Sequence, residues 1–410
     1  MAVAQMVVAT DSGKLEGAMA SSGVRQFLGV PYAAPPVGEL RWKAPQPAEA
    51  WKGVREAKEF GHHCWQFGKY NDMVFRDAGP SENCLTLNVW TPAGAKPGTL
   101  PVMVWIHGGG FNGGGSSEPR QDGQWLAKRG VVVVSLNYRL GMLGFMTSPE
   151  LAAESGHDAS GNYGLLDQTA ALAWVQRNIA GFGGDAKNVT VFGESAGGMS
   201  VSALMASPLA KGMMAKALGE SGAAFWSAGI PVRLRAEAEA HDSALVQKAL
   251  GTTKIAELRK ISAEVLAENK ALAPANAFPP CVDGYFLTDT LANIYARKEE
   301  AQIPLLAGWN KDEVRGKVTF AKVKPTAASF RAMAEKDFGD NAAEFLRLYP
   351  AKTDAEAVQS AGDFASDRFM AFTAWRWLEA HYDHAPTFRY QFDLPAPADK
   401  FHRAGSGAFH

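Results

Sequence analysis

The chain has 410 residues, 47% apolar and 20% charged, a balance that excludes a disordered chain and suits a large α/β enzyme with surface insertions. A formal net charge of −1 leaves no basic field to hold nucleic acid or an anionic membrane, and apolar runs such as Val131–Val134 are far too short to span a bilayer. Three cysteines, Cys64, Cys84 and Cys281, leave at least one thiol free.

Near the start, Ala2-Val3-Ala4 has the small-x-small form of a signal-peptidase site, and reads equally well as ordinary residues after an initiating methionine. Met6–Phe27 reads as short antiparallel strands with turns at Asp11-Ser12-Gly13 and Ser21-Ser22-Gly23. The prolines of Phe27–Gly38 predict a rigid surface segment. Cys64 and Cys84 flank a polar, turn-rich loop that a bridge would stabilise by roughly 3 kcal/mol. His62-His63-Cys64 could instead belong to a metal site, but no second Cys/His pair lies at ligand spacing.

An alternation of strands and helices follows. Leu85–Trp90, Pro101–Ile106, Val131–Leu136, Val189–Phe192, Lys216–Gly219 and Ile303–Ala307 read as strands. Asp167–Ala180 and Ala196–Met205 read as helices. Repeated strand–helix units predict a mainly parallel sheet with helices on both faces. Charged helical patterns over Arg233–Leu250 and Ile255–Leu272 predict a helical insertion spanning about 225–280, over one end of the sheet. Lys322–Tyr349 and Asp354–His381 read as helical again, and Thr387–Phe392 as a late strand. No repeat or low-complexity linker divides the chain, so residues 1–410 are expected to form one domain.

Two stretches carry chemistry. In Val189–Gly198 a β-branched run ends in Gly193-Glu194-Ser195-Ala196-Gly197, the Gly-x-Ser-x-Gly form of a nucleophile elbow. A serine that attacks a carbonyl must stand clear of its backbone at a sharp strand-to-helix turn, and glycines fit the crowding beside it. The helix that follows aims its first amides where negative charge develops. Upstream, His107-Gly108-Gly109-Gly110-Phe111 follows a buried strand. A glycine run there frees N–H groups to serve as an oxyanion hole.

These strings, with Phe27-Leu28-Gly29-Val30-Pro31-Tyr32-Ala33, Arg41-Trp42-Lys43-Ala44-Pro45, Ser81–Val89 and Gly161–Gln168, resemble the type-B carboxylesterase family, the cholinesterase-like branch of α/β-hydrolases, over nearly the whole chain. The resemblance implies an α/β-hydrolase fold and a serine esterase. It implies Ser195 as nucleophile, Gly109, Gly110 and Ala196 as oxyanion-hole amides, and a Cys64–Cys84 disulfide. In the family's Gly-x-Asn-x-Asp-Glu-Gly string, here Gly308–Val314 with Val314 in place of the last glycine, it implies Glu313 as the acid, with Asp312 as the fallback. His402 and His410 both follow the acid, and Gly407-Ala408-Phe409-His410 resembles the family's base loop, which implies His410 as base. Glu194 would lie near that histidine, and Ser221 would hydrogen-bond the acid. The family continues past this loop into further helices, so a truncated chain with a loosely held base is expected. No metal or organic cofactor is implied. The implied substrates are small carboxylic esters, with an amide or carbamate as an alternative, and no nucleic-acid partner is implied. A disulfide favours a periplasmic or secreted protein over a cytoplasmic one. The rival readings are a non-catalytic binding or adhesion member of the fold and an inactive truncated fragment.

Overall fold

Nine strands form one twisted sheet in a computed structural model that describes residues 6–67, 72–225, 232–274, 277–314, 324–395, 397, 407–408 and 410. In chain order the strands are β1 (Ala18–Met19), β2 (Arg25–Pro31), β3 (Thr86–Thr91), β4 (Leu100–Ile106), β5 (Val132–Leu136), β6 (Gly184–Glu194), β7 (Lys216–Glu220), β8 (Leu305–Asn310) and β9 (Thr387–Phe392). Their spatial order is β9-β8-β7-β6-β4-β5-β3-β2-β1. From β5 through β4 to β9 every pairing is parallel, and β3, β2 and β1 add antiparallel strands at one side. The expected mainly parallel sheet is what forms. Val132–Leu136 is buried along its whole length, as a strand covered on both faces must be. Val7–Thr10, Gly13–Glu16 and Val54–Glu56 form a separate three-stranded sheet.

Two helices carry the centre. Helix α1 (Tyr163–Asn178) starts a turn earlier than its apolar spacing indicates. Helix α2 (Ala196–Ala206) has all its residues buried and packs on β6 and β7. A helix that is apolar and small on every side has no solvent face.

The segment Phe27–Pro31 departs from expectation. It lies in β2, second from the sheet edge, with Phe27 and Val30 fully buried, and is not a surface segment. The proline is tolerated because β1 pairs only with Arg25 and Gln26, so no neighbour needs a donor from Pro31.

Beyond β7 most of the described chain outside β8 and β9 is helical. Helix α3 (Arg235–Leu250) forms as patterned, but Ile255–Leu272 breaks into α4 (Ile255–Leu258) and α5 (Ala263–Ala267). Ser262 starts the second piece by accepting the Val265 N–H. Arg41 ties this region down, donating to both oxygens of Glu82 at 2.7 Å and to the Ile261 carbonyl at 2.6 Å. Helix α6 (Leu291–Ala296) leads towards β8. The pattern over Lys322–Tyr349 begins outside the described residues and resolves into α7 (Ala327–Phe338) and α8 (Ala342–Leu348), split at Gly339 with φ +52°. Helices α9 (Asp354–Ser366) and α10 (Phe372–His381) run on through a π turn. Phe330, Phe345 and Phe364 form a second small core among them. Ala2–Ala4 and His402 lie outside the described residues.

Candidate active site

Parallel strands bring their carboxyl ends to one edge, where ligand sites of open α/β sheets form. At that edge β4 runs into the glycine loop, β6 into Ser195, and β8 into the Asp312-Glu313 turn. Ser195 has φ 56° and ψ −121°, a conformation an L residue holds only under strain. The Ser195 N–H donates to the Glu220 carbonyl at 2.9 Å, which locks the turn to the end of β7. Space explains the flanking glycines. A Cβ on Gly193 would come within 2.6 Å of the Ile106 carbonyl oxygen, and one on Gly197 within 2.1 Å of the same atom.

His410 Nε2 lies 2.8 Å from Ser195 Oγ, and His410 Nδ1 lies 2.9 Å from Glu313 Oε2. The other Glu313 oxygen accepts the Asn310 N–H at 2.8 Å, and the Glu313 side chain is wholly buried. Ser195 keeps only 7% exposure, whereas the side chains of His410 and Glu194 beside it keep 23% and 36%. Ser195 is thus more recessed than its two neighbours. Burial disfavours a charged His410, but the Glu313 hydrogen bond and the charges of Glu194 and Glu313 outweigh it and raise its pKa above the usual histidine value. Glu194 Oε1 stands 3.4 Å from His410 Nε2. Burial raises the Glu194 pKa, with Glu313 adding and His410 opposing.

Gly109 and Gly110 have φ +101° and +63°, and the glycine loop passes close to the serine. A Cβ on Gly108 would sit 3.0 Å from Ser195 Cβ. Among the described residues, no protein acceptor takes the N–H of Gly109, Gly110 or Ala196. Among the described residues these donors are open to a ligand oxygen. The loop itself is stiff. His107 stacks on Tyr138, and the Tyr138 hydroxyl donates to the His107 carbonyl at 2.8 Å. Burial pushes the His107 pKa down to about 4, so its imidazole stays neutral. Gln66 brackets Gly114 from both sides, accepting its N–H and donating to its carbonyl, each at 2.8 Å.

A sequence profile of the carboxylesterase family matches residues 4–410. The chain belongs to that family. It is 39% identical to the fumonisin B1 esterase of Sphingopyxis macrogoltabida over 399 residues, covering 95% of this chain and 71% of that protein. It is 38% identical to the para-nitrobenzyl esterase of Bacillus subtilis (strain 168) over 412 residues, covering 97% of this chain and 80% of that one. A solved PNB esterase structure superposes with a TM-score of 0.82 at 36% identity, covering 99% of this chain and 82% of that one. The architecture is the α/β-hydrolase fold, and the family supports ester hydrolysis.

Three features escaped the sequence reading. Asp312, the fallback acid, takes the Ala408 N–H on Oδ2 at 3.1 Å and gives its own N–H to the Ala408 carbonyl at 2.9 Å. The His410 N–H donates to the Glu313 carbonyl at 3.3 Å, and the Phe369 ring meets the imidazole edge-on. Hydrogen bonds thus tie Ala408 and His410 to both residues of the Asp-Glu pair. Val314, the departure from the family string, exchanges hydrogen bonds with Ser366 Oγ at 3.1 Å in both directions. Ser221 is the converse case. Among the described residues its hydroxyl makes no hydrogen bond to Glu313, whose two oxygens meet the Asn310 N–H and His410 Nδ1. Ser221 instead gives its N–H to the Gly308 carbonyl at 2.9 Å.

Cys64 and Cys84 form a disulfide, which removes the thiolate that a metal site at His62-His63-Cys64 would need. Cys281 is a buried free thiol. Among the described residues no helix is long and apolar enough to cross a membrane.

Proposed function

We propose that the chain is a serine carboxylesterase working through an acyl-enzyme, with Ser195, His410 and Glu313 as its catalytic residues. The observation that carries this reading is the continuous line from Ser195 Oγ through His410 to a buried Glu313, at 2.8 and 2.9 Å. A serine hydroxyl is a poor nucleophile until a base takes its proton. Ser195 Oγ attacks the ester carbonyl carbon while His410 Nε2 takes the proton. Glu313 holds the Nδ1–H tautomer and stabilises the imidazolium. The carbonyl oxygen, now negative, rests against the N–H groups of Gly109, Gly110 and Ala196. Each such donor contributes roughly 3–4 kcal/mol to the transition state. His410 then passes its proton to the leaving alcohol, and water, activated by the same imidazole, releases the acid.

The substrates are small carboxylic esters, and the relatives' names, fumonisin B1 esterase and para-nitrobenzyl esterase, point the same way. The whole chain acts as one domain, with the helical segment after residue 225 as an insertion. The disulfide favours a periplasmic or extracellular setting. Labelling with an organophosphate, followed by peptide mass spectrometry, tests the reading. An adduct on Ser195, lost in Ser195→Ala together with ester hydrolysis, supports it. An unlabelled chain that binds esters without turnover would mark a binding module.

A further inference from the structure

At the far ends of β8 and β9, away from the serine, three side chains converge that the esterase chemistry does not use. Glu300 lies in the segment between α6 and β8, His381 closes α10, and His384 lies in the turn leading to β9. The side chains of Glu300 and His381 are fully buried, and that of His384 is 8% exposed. His381 Nε2 faces the Ile303 carbonyl at 2.8 Å, so that nitrogen carries a proton. In the neutral ring Nδ1 is then a bare lone pair, and it faces Glu300 Oε1 at 3.2 Å. His384 Nδ1 approaches the same oxygen. Two imidazoles thus crowd one carboxylate oxygen, while Oε2, also buried, has no hydrogen-bond partner among the described residues. A buried polar group left this way is costly unless something completes it.

We propose that Glu300, His381 and His384 form a structural binding site for a divalent zinc-class cation. Two imidazole nitrogens and a carboxylate are the donor set that suits Zn²⁺, leaving a fourth position for water. The donor atoms lie within 4.8 Å of one another. Metal–ligand bonds of about 2.0–2.1 Å put tetrahedral donors about 3.3 Å apart, which Glu300 Oε1 and His381 Nδ1 already match at 3.2 Å, while the His384 ring must reorient to take its corner. The bond from His381 Nε2–H to a backbone carbonyl is the orienting contact that metal-bound imidazoles make through their other nitrogen. The cation joins the end of α10 to the starts of β8 and β9, the strand ends furthest from the acid and base. It therefore acts on stability and stays out of the ester chemistry.

The test uses the untagged full chain, stripped with chelator and titrated calorimetrically with Zn²⁺ at mildly alkaline pH. One Zn²⁺ per chain and a raised Tm are expected. His384→Ala, with Glu300→Gln as the second variant, weakens the affinity at least about a hundredfold and abolishes the Tm rise, while organophosphate labelling of Ser195 is unchanged. X-ray absorption of the zinc-loaded wild type reads the ligands without any variant, and two imidazoles in the first sphere are expected. No stoichiometric uptake, uptake undiminished in both variants, or a first sphere without two imidazoles overturns the assignment.

Discussion

Replacing Gly197 with alanine tests whether the serine and the glycine loop are held apart by one atom. The added Cβ would lie 2.1 Å from the Ile106 carbonyl oxygen, where ordinary contact begins at 3.4 Å. That oxygen is main chain at the end of β4, one residue before the glycine loop, so no flexible tip can turn aside. The start of α2 and the end of β4 must separate by about 1.3 Å if they alone take up the strain. Ser195 rides on one of these elements and Gly109 and Gly110 on the other. A misplacement of about 1 Å costs on the order of a hundredfold in rate, or about 2.7 kcal/mol. Overpacking adds about 1–3 kcal/mol of lost stability. The assay is kcat/KM on a chromogenic ester, normalised to the fraction of chains an organophosphate labels, with a thermal melt alongside. Gly212→Ala is the control. Gly212 has φ +80° and no atom within 4 Å of the built Cβ, so it is expected to lose about 1–2 kcal/mol of stability and no activity. If Gly197→Ala hydrolyses esters at close to the wild-type rate, the claim that this contact sets the site's geometry is wrong.

The pH profile follows from the sign of the His410 shift. A base works when neutral, and a raised pKa keeps it protonated to higher pH, so the acid limb of kcat/KM is expected above the usual histidine value of 6.5. Removing a nearby anion in Glu194→Gln moves that midpoint down, and a midpoint that stays put on titration denies Glu194 its influence on the imidazole. Glu313→Gln keeps the shape but gives up the charge that holds the Nδ1–H tautomer, and kcat is expected to fall about 10⁴-fold in stopped-flow or steady-state assays. Asp312→Ala removes only the side-chain half of the loop clamp, so about a tenfold loss in kcat with faster hydrogen exchange at Ala408 is expected. Equal exchange in both proteins would argue against the clamp. Reduction of Cys64–Cys84, which span 20 residues, lowers the stability of the fold by about 3 kcal/mol, readable in urea melts with and without reductant.

What could be read from the letters was the chemistry that needs special backbone. Gly193, Gly197 and the run from Gly108 to Gly110 stand where a Cβ would collide or where φ is positive, and such positions admit few residues. Strand cores such as Val132–Leu136 were legible for a similar reason, since burial on both faces demands an apolar run. Contacts between distant segments were not legible. Nothing in Asp312 alone says that it grips Ala408, and nothing in Ser366 says that it hydrogen-bonds the Val314 main chain. The proline rule failed at Pro31 because it depends on whether a neighbouring strand needs the missing donor, which is a property of the assembled sheet. Helix ends slipped at Ser262 and Gly339, where a cap or a positive φ overrode the periodicity.

The sheet order also governs how the site comes into being. The hydroxyl and imidazole that touch are separated by 215 positions along the chain, and the imidazole and carboxylate by 97. Closing loops of that length is entropically slow, and proteins dominated by such remote pairings fold late and sluggishly. Refolding from denaturant should therefore recover helical signal and central-sheet protection well before turnover. A nascent chain of this kind cannot complete the line from Ser195 through His410 to Glu313 until β8 and β9 have joined the sheet.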